Sequence, residues 1–523
     1  MKNRVLAGIA ALSMLCTAVP VAVIPETASI IAQAGTDGTY KGLHYSVVAD
    51  DEGYHAIIQS CEANISGTVE IPDELDGTEV TEIGFEAFRG QEDITSVKLG
   101  KHVKSIATSA FYGCTKLKEV TLPEGLESIG QEAFRESGLT TLTLPGTIKK
   151  MGDGVFGDCT ALESVTIEDG VEDLGNYPFI DCFSLTSISV PGSVKEVGAQ
   201  FVLRCSALES VTIGDGVEEL GFEAFAECEN LKTVKLGNGL KKIGNYTFKN
   251  STALQTLTLP DSLTIIGSAA FLDSGLTKIT IPGSVEVVSD NAFNNCDKLE
   301  HITIEEGVKE IESYTFRRCI ALKELILPDS VTKLGVELAN GCSALERIET
   351  GDGLEELPYN AFKSCPNVEE IVLGEHVAKF GMSAIEPTDA LKNITILNPD
   401  MDVAAAKLTL PEGCTITGYE PSTAKTYADE NDIPFISLGK FPTYTLGDVN
   451  EDTFINASDA AQVLIAAASI GAGNEGGLTE NQMLAANVNG DENVNASDAA
   501  IILVYAAALG AGNEDAKITD YVK

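Results

Sequence analysis

Tryptophan is missing from this 523-residue chain, and aromatic residues make up only 6% of it. Stacking platforms for sugar rings are therefore thin, which weakens a carbohydrate-binding reading. Histidine is scarce: His44, His55, His102, His301 and His376 are scattered along the chain, and none joins a recognisable Ser or Cys nucleophile motif. Cations are outnumbered, with 35 Lys and Arg against 78 Asp and Glu and a formal net charge of −43. That balance removes nucleic acid from the expected partners, because phosphate binding needs basic patches and counterion release. Anionic membranes would repel the chain for the same reason. Paired carboxylates occur everywhere in so acidic a sequence, so two neighbouring acids are uninformative without a cleft and aromatic walls.

No segment after Ile24 is long and apolar enough to span a membrane. Before it, Lys2 and Arg4 precede an apolar stretch from Val5 to Ile24, and Ala32 and Ala34 form an A-x-A site. This is the pattern of a secretory signal peptide over 1–34, which implies a secreted, extracellular protein with no membrane contact after cleavage. The run is also long enough to cross a bilayer, so an uncleaved anchor is the alternative. Cys16 follows Met14 and Leu15 rather than small residues, so a lipidated cysteine is not expected.

What the chain has in abundance is repetition. The pattern I-G-x-x-A-F-x-x-C-x-x-L-x-x-V-x-L-P-x-x-V recurs every 22 to 24 residues, with its A-F step at Ala87-Phe88, Ala110-Phe111, Ala133-Phe134, Ala224-Phe225, Ala270-Phe271, Ala292-Phe293 and Ala361-Phe362. Looser versions stand at Val155-Phe156, Pro178-Phe179 and Leu338-Ala339. About 13 turns are countable, and one turn alone buries no apolar face, so the pattern predicts a solenoid. Stretches such as LKEVTLP and LTTLTLP alternate apolar and polar residues, the period of a strand with one buried face. Stacked, these strands form a parallel sheet, and Pro123, Pro145, Pro191, Pro260, Pro282 and Pro328 close them.

Motifs such as IGQEAFRESGLTTLTLPGTI resemble the BspA-like leucine-rich repeat family. The resemblance implies an α/β leucine-rich-repeat solenoid over 81–392, with an N-terminal β cap over 35–80 and a closing segment over 393–439.

Three ladders run through the repeats. Nine of the 12 cysteines, Cys114, Cys159, Cys182, Cys205, Cys228, Cys296, Cys319, Cys342 and Cys365, share one column with Ser137, Ser251 and Ser274. Cysteines in a secreted chain first suggest disulfides. Free exchange with serine favours buried thiols acting as small apolar fillers instead, and an anaerobic habitat would keep them reduced. A linear column offers no tetrahedral metal geometry.

A second column, Thr121, Thr143, Thr166, Ser189, Thr212, Lys235, Thr258, Thr280 and Thr303, faces outward. Strand propensity and cross-strand packing explain it; a face that binds a protein or glycan is the functional alternative. Acidic turns such as Glu168-Asp169-Gly170 and Gly214-Asp215-Gly216 suit tight turns, with weak calcium binding as the minority reading.

Past a short linker at 440–446, two segments 39 residues apart repeat almost verbatim, DVNEDTFINASDAAQVLIAAASIGAGNE and NVNGDENVNASDAAIILVYAAALGAGNE. Each places oxygen-bearing residues at positions 1, 3, 5, 9 and 12 of an EF-hand-like loop that opens an Ala-rich helix. Calcium is a hard cation that takes such ligands. The first set is Asp448, Asn450, Asp452, Asn456 and Asp459 with the carbonyl of Phe454. The second is Asn487, Asn489, Asp491, Asn495 and Asp498 with the carbonyl of Asn493.

This duplicated segment, 447–515, resembles a type I dockerin, a small all-α calcium-binding module. A regulatory EF-hand pair would have a helix leading into each loop and Glu at the last position. The resemblance implies two calcium ions and, as partner, the cohesin domain of a scaffoldin. It places the partner-reading pairs at Ala457-Ser458 and Ala496-Ser497. Leu464 and Ile465, with Leu503 and Val504, either extend that contact or form the core. Identical pairs predict docking in two orientations. Two departures stand out: Thr453 and Glu492 where the sharp turn favours Gly, and Asn487 rather than Asp at position 1. Both should weaken calcium binding. Residues 516–523 read as a tail.

Signal peptide, solenoid, linker and dockerin leave no stretch for a catalytic domain. The expectation is a non-catalytic component of the cell-surface cellulosome complex of an anaerobic bacterium. The alternative is an accessory of polysaccharide breakdown that binds substrate or carries an unrecognised hydrolase-related activity.

Overall fold

The computed structural model describes residues 37–522 apart from 51–52, 387, 405–409, 442–444, 475, 492, 512 and 514–515. The expected signal peptide and Glu492 lie outside the described residues. The chain divides into two compact units between Ser262 and Leu263.

The first unit opens with antiparallel strands Asp37–Tyr40, Leu43–Asp50 and Gly53–Cys61, and Thr78–Ile83 then joins the last of these in parallel. From there most turns contribute one longer strand and one two-residue strand. The longer ones, Thr141–Leu144, Ser164–Ile167, Ser187–Val190, Ser210–Ile213 and Thr233–Lys235, pair in parallel. Their register sets Thr141 beside Ser164, Ser187, Ser210 and Thr233. The unbroken register follows from constant repeat length: a slip of one residue would turn Leu142 and Leu144 out to water.

Phenylalanine fills the interior. Phe88, Phe111, Phe134, Phe156, Phe179, Phe201, Phe225 and Phe248 are fully buried, each contributing about 1.5–3 kcal/mol by area removed from water. Phe88 and Phe111 stack at 4.8 Å, and Phe111 and Phe134 at 5.0 Å, close to the spacing between strands. Phe201 breaks the stack and lies at 90° to Phe179. The reason is a shifted register: Cys228 bonds the carbonyl of Val202, so Val202 occupies the usual Phe slot and Phe201 the Ala slot.

The corners have an unexpected backbone. Glu223 and Glu227 are left-handed, at φ +53° and +58°, without the glycine that would announce it. The conformation lets alternate N–H groups point to the next turn: Glu223, Phe225 and Glu227 donate to the carbonyls of Asn245, Thr247 and Lys249 at 3.0, 2.9 and 2.8 Å.

The second unit continues the repeat through Lys278–Ile281, His301–Ile304, Glu324–Ile326, Arg347–Glu349 and Glu370–Leu373. Strands Asn393–Ile396, Thr415–Gly418 and Phe435–Ser437 extend the parallel ladder although they lack the A-F step. With Gly67–Glu70 also paired into the parallel ladder of the first unit, the turns number about 16, against the expected 13 or so. A helix, α1 (Thr423–Glu430), lies between the last two strands, capped by Ser422 Oγ accepting from the Lys425 N–H at 3.0 Å.

The C-terminal module has helices α2 (Ala457–Gly471), α3 (Glu480–Ala486) and α4 (Ala496–Gly510) and a 3-10 turn at Ile518–Tyr521. Val449, Ala460, Val463, Ala486, Val488, Val494, Ala499, Ile502 and Ile518 form its core. Ile518 comes from the expected tail, and Leu446, from the expected linker, packs against the same core.

Candidate functional site

The duplicated loops fold alike because each ends in the same helix start. Asn456 caps α2 and Asn495 caps α4, their Oδ1 atoms accepting from the N–H groups of Ser458 and Ser497 at 2.8 and 2.7 Å. Such caps satisfy N–H groups that a helix leaves unpaired. The side-chain amides turn back onto the loops and donate to the carbonyls of Phe454 and Asn493 at 3.1 and 2.9 Å.

The last residue of each loop draws it closed. Asp459 is fully buried, and its Oδ1 accepts from the N–H groups of Val449 and Asn450 at 2.9 and 3.1 Å, its Oδ2 from Asn456 at 2.9 Å. Asp498, equally buried, accepts from Asn489 at 3.3 Å and Asn495 at 2.9 Å. In both loops the middle ligands interlock: Asn450 with Asp452, and Asn489 with Asp491, at 2.9–3.0 Å. The six residues expected as ligands in each half thus lie within one hydrogen-bonded loop, and the two loops share most of their bonds.

The first positions differ. Asp448 is buried and accepts from Asp452 N–H at 3.1 Å and Thr453 N–H at 2.9 Å. Asn487 donates from Nδ2 to the carbonyl of Asp491, and its Oδ1 is buried with no partner. Thr453 sits at φ +70°, a strained conformation for a β-branched residue.

Three buried carboxylates, Asp448, Asp459 and Asp498, have only backbone N–H groups as partners, with no cationic side chain among the described residues. Buried charge without a counter-charge is costly. These carboxylates and the orphaned Asn487 oxygen suit a hard divalent cation, which takes six to eight oxygen ligands. Among the described residues no three His, Cys, Asp or Glu side chains gather as a metal cluster. Carboxylates alone do not make this donor set, since Asn450, Asn456, Asn489, Asn495 and two carbonyls belong to it.

Ala457, Ser458, Ala496 and Ser497 are exposed beside the loops. Leu464, Ile465, Leu503 and Val504 are 45%, 69%, 44% and 52% exposed, so they lie on the surface, and Val463 and Ile502 fill the core instead. An exposed apolar strip therefore runs along α2 and again along α4. Phe454, 70% exposed, adds a large apolar side chain to the first half only, where Asn493 stands in the second. As a calcium ligand Phe454 would contribute its carbonyl alone, which leaves this side chain available to a partner.

In the solenoid, the outward column from Thr121 to Thr303 is exposed throughout. Around it, charges pair across turns, as Lys232 with Glu209 at 2.9 Å and Arg347 with Glu370 at 3.4 Å. The acidic turns are put to structural use: Asp215 Oδ1 accepts from Asn238 N–H and Asp329 Oδ1 from Asp352 N–H, both at 2.9 Å. Every described cysteine is a free thiol. The column does more than fill space, because each thiol donates to the carbonyl of the turn before, as Cys205 to Phe179 at 3.1 Å and Cys342 to Phe316 at 3.1 Å.

In the first unit the two-residue strands are interrupted at Asp173–Leu174, and a groove of about 450 Å³ opens there, lined by Lys150, Asp153, Asp173, Asn176 and Glu196 among others. Burial, with help from Glu219, raises the Glu196 carboxyl above its ordinary value. No histidine, cysteine or serine lines this groove.

The family model of the BspA type leucine rich repeat region matches in six copies, over residues 81–206, 200–319 and 286–403. That of the dockerin type I domain matches residues 446–505. No curated protein matches the chain. Among solved structures it is similar to a leucine-rich repeat protein from Bacteroides ovatus, 20% identical, covering 74% of this chain and 100% of that one at a TM-score of 0.49. It is similar to the pneumococcal vaccine antigen PcpA at 20% identity, 77% and 99% coverage and a TM-score of 0.40. A T. pallidum leucine rich repeat protein is 28% identical over 42% of this chain and 91% of its own, with a TM-score of 0.32.

Proposed function

This chain belongs to the BspA type leucine-rich repeat family and carries a type I dockerin domain, and from that premise we propose that it is a non-catalytic, secreted component of a cellulosome. The dockerin binds a cohesin domain of a scaffoldin, and the solenoid presents a protein-binding or adhesive surface at the place where it is docked. Both families are non-catalytic.

The observation that carries the reading is the pair of similar loops, closed on the buried carboxylates of Asp459 and Asp498, which meet no cationic side chain among the described residues. Two calcium ions would be held by Asp448, Asn450, Asp452, Asn456, Asp459 and the Phe454 carbonyl, and by Asn487, Asn489, Asp491, Asn495, Asp498 and the Asn493 carbonyl. Calcium supplies the missing positive charge. The residues of the chain do the recognition: Ala457, Ser458, Leu464 and Ile465 form one reading strip, Ala496, Ser497, Leu503 and Val504 the other. Because the strips match, a cohesin docks in either of two orientations.

The test is binding of the intact chain to a panel of type I cohesin domains, with calcium and with a chelator. Binding that disappears with the chelator and in the Asp459→Ala, Asp498→Ala double variant supports the reading. Binding indifferent to the chelator overturns it. Replacing Ala457 and Ser458 alone should leave affinity largely intact; a loss greater than about tenfold, 1.4 kcal/mol, removes the two orientations.

One observation favours a polysaccharide-binding accessory as the second reading. Thr141, Thr143, Ser164, Thr166, Ser187, Ser189, Ser210 and Thr212 are two adjacent hydroxyl columns without charge on four paired strands. A pull-down of protein lacking residues 447–522 on plant polysaccharides, and separately on cell extracts, distinguishes a glycan ligand from a protein one.

A further inference from the structure

We infer that the two calcium loops are unequal and fill in order, the loop at 448–459 first and the loop at 487–498 only at higher calcium, so that the module passes through a state holding one ion. This rests on the calcium-dependent reading above and deepens it.

The two loops bond alike at their middle ligands and at the helix caps, and both close on a buried last carboxylate; the first position differs most. There, Asp448 is already fixed by two backbone N–H groups, at 3.1 Å from Asp452 and 2.9 Å from Thr453. An arriving ion meets a charged carboxylate held in place. At the corresponding point of the second loop, Asn487 spends its amide N–H on the carbonyl of Asp491 and leaves Oδ1 buried and unpartnered. An ion bound there gains a neutral oxygen and satisfies an orphan, but it gains no charge. The first loop offers three carboxylates, Asp448, Asp452 and Asp459, and the second two, Asp491 and Asp498. Charge count among the ligands is a principal control on the affinity of such loops, and in a buried site each unit charge acts through a low effective dielectric.

One feature of the first loop runs against this order. Thr453 is left-handed at φ +70°, which costs energy. Its cost is that of one backbone conformation, whereas one carboxylate more or fewer changes the charge facing the ion through a low effective dielectric. The carboxylate difference therefore decides the order.

The experiment uses the intact chain, stripped of metal and titrated with calcium in a calorimeter, with hydrogen exchange followed at each stage. The expected result is two steps separated by about tenfold or more in Kd. Protection should rise over 448–471 in the first step and over 487–510 in the second. Asn487→Asp should move the second step to lower calcium, and Asp448→Asn should move the first to higher calcium. A single step that protects both helices together overturns the inference, as does protection of 487–510 first or an Asn487→Asp chain whose second step is unmoved. A chain that takes up no calcium at all overturns the dockerin reading itself, a different outcome from two equal sites.

Discussion

Cys319 donates its thiol hydrogen to the main-chain carbonyl of Phe293, one turn back, at 3.2 Å. The same relation joins Cys114 to Phe88 at 3.2 Å and Cys296 to Phe271 at 3.0 Å, and Ser251 makes it to Phe225 with a hydroxyl at 3.3 Å. Serine at 251 keeps the donor, while Ser137 and Ser274 meet the thiols of Cys159 and Cys296 at 3.2 and 3.3 Å. Cys319→Ser is therefore expected to change stability by less than about 0.5 kcal/mol, whereas Cys319→Val, close in size, removes one of the two donors to the Phe293 carbonyl, leaving the Cys296 N–H at 3.2 Å, and costs about 0.5–1.5 kcal/mol. Urea unfolding of the two variants checks this, and equal losses would show that the sulfur acts only by volume.

Burial pushes the thiols of Cys114 and Cys296 from the ordinary 9.0 up to about 12. The folded chain then holds protons that the unfolded chain releases, so this contribution to stability is complete below pH 9 and is lost as pH rises from there towards 12. Alkaline unfolding should move to higher pH when several column cysteines are replaced by serine. Below pH 9 the native chain should leave a thiol reagent such as dithionitrobenzoate unconsumed by the column until denaturant is added. Rapid native labelling of the column, or an alkaline midpoint that serine leaves unmoved, would refute the assignment.

Thr453 is β-branched and left-handed. Thr453→Gly removes that strain, worth about 1–2 kcal/mol, while adding about 0.5–1 kcal/mol of backbone entropy to the unfolded chain. A net gain of roughly 0.5–1 kcal/mol is expected, read as a higher melting temperature of the dockerin in calcium. A lower one would mean that the threonine side chain makes a contact worth more than the strain.

Ile518 is 7% exposed within the dockerin core, and Tyr521 beyond it meets Tyr505 edge to face at 6.1 Å. Ile518→Ala should cost the module about 2–4 kcal/mol, and a chain stopped after residue 515 should lose at least as much. Thermal unfolding of the dockerin checks both. A melt unchanged by the substitution would place the segment outside the folding unit.

Much of this was legible. The A-F step and the alternating strands carry the solenoid because a repeat must present the same apolar face each time, and that constraint is written in residue type. Asp448, Asp459 and their counterparts were legible because calcium needs oxygen at fixed spacing. What escaped the sequence obeys other rules. Asn393–Ile396 and Thr415–Gly418 continue the ladder through backbone pairing, which needs no signature residue. Glu223 and Glu227 are left-handed because the next turn offers carbonyls, a cause lying 22 residues away. Leu464 and Val504 resemble core residues by type; only the packing of α2 on α4 decides that they face outward. Ile518 looked like part of a tail because a lone isoleucine in a short polar segment has no period.

Ile518 has one more consequence. It is made after the whole solenoid has left the ribosome, and the dockerin lacks a complete core until it arrives. A chain whose synthesis stops before Ile518 therefore carries an open module core, so a closed module marks a chain that already includes the whole solenoid.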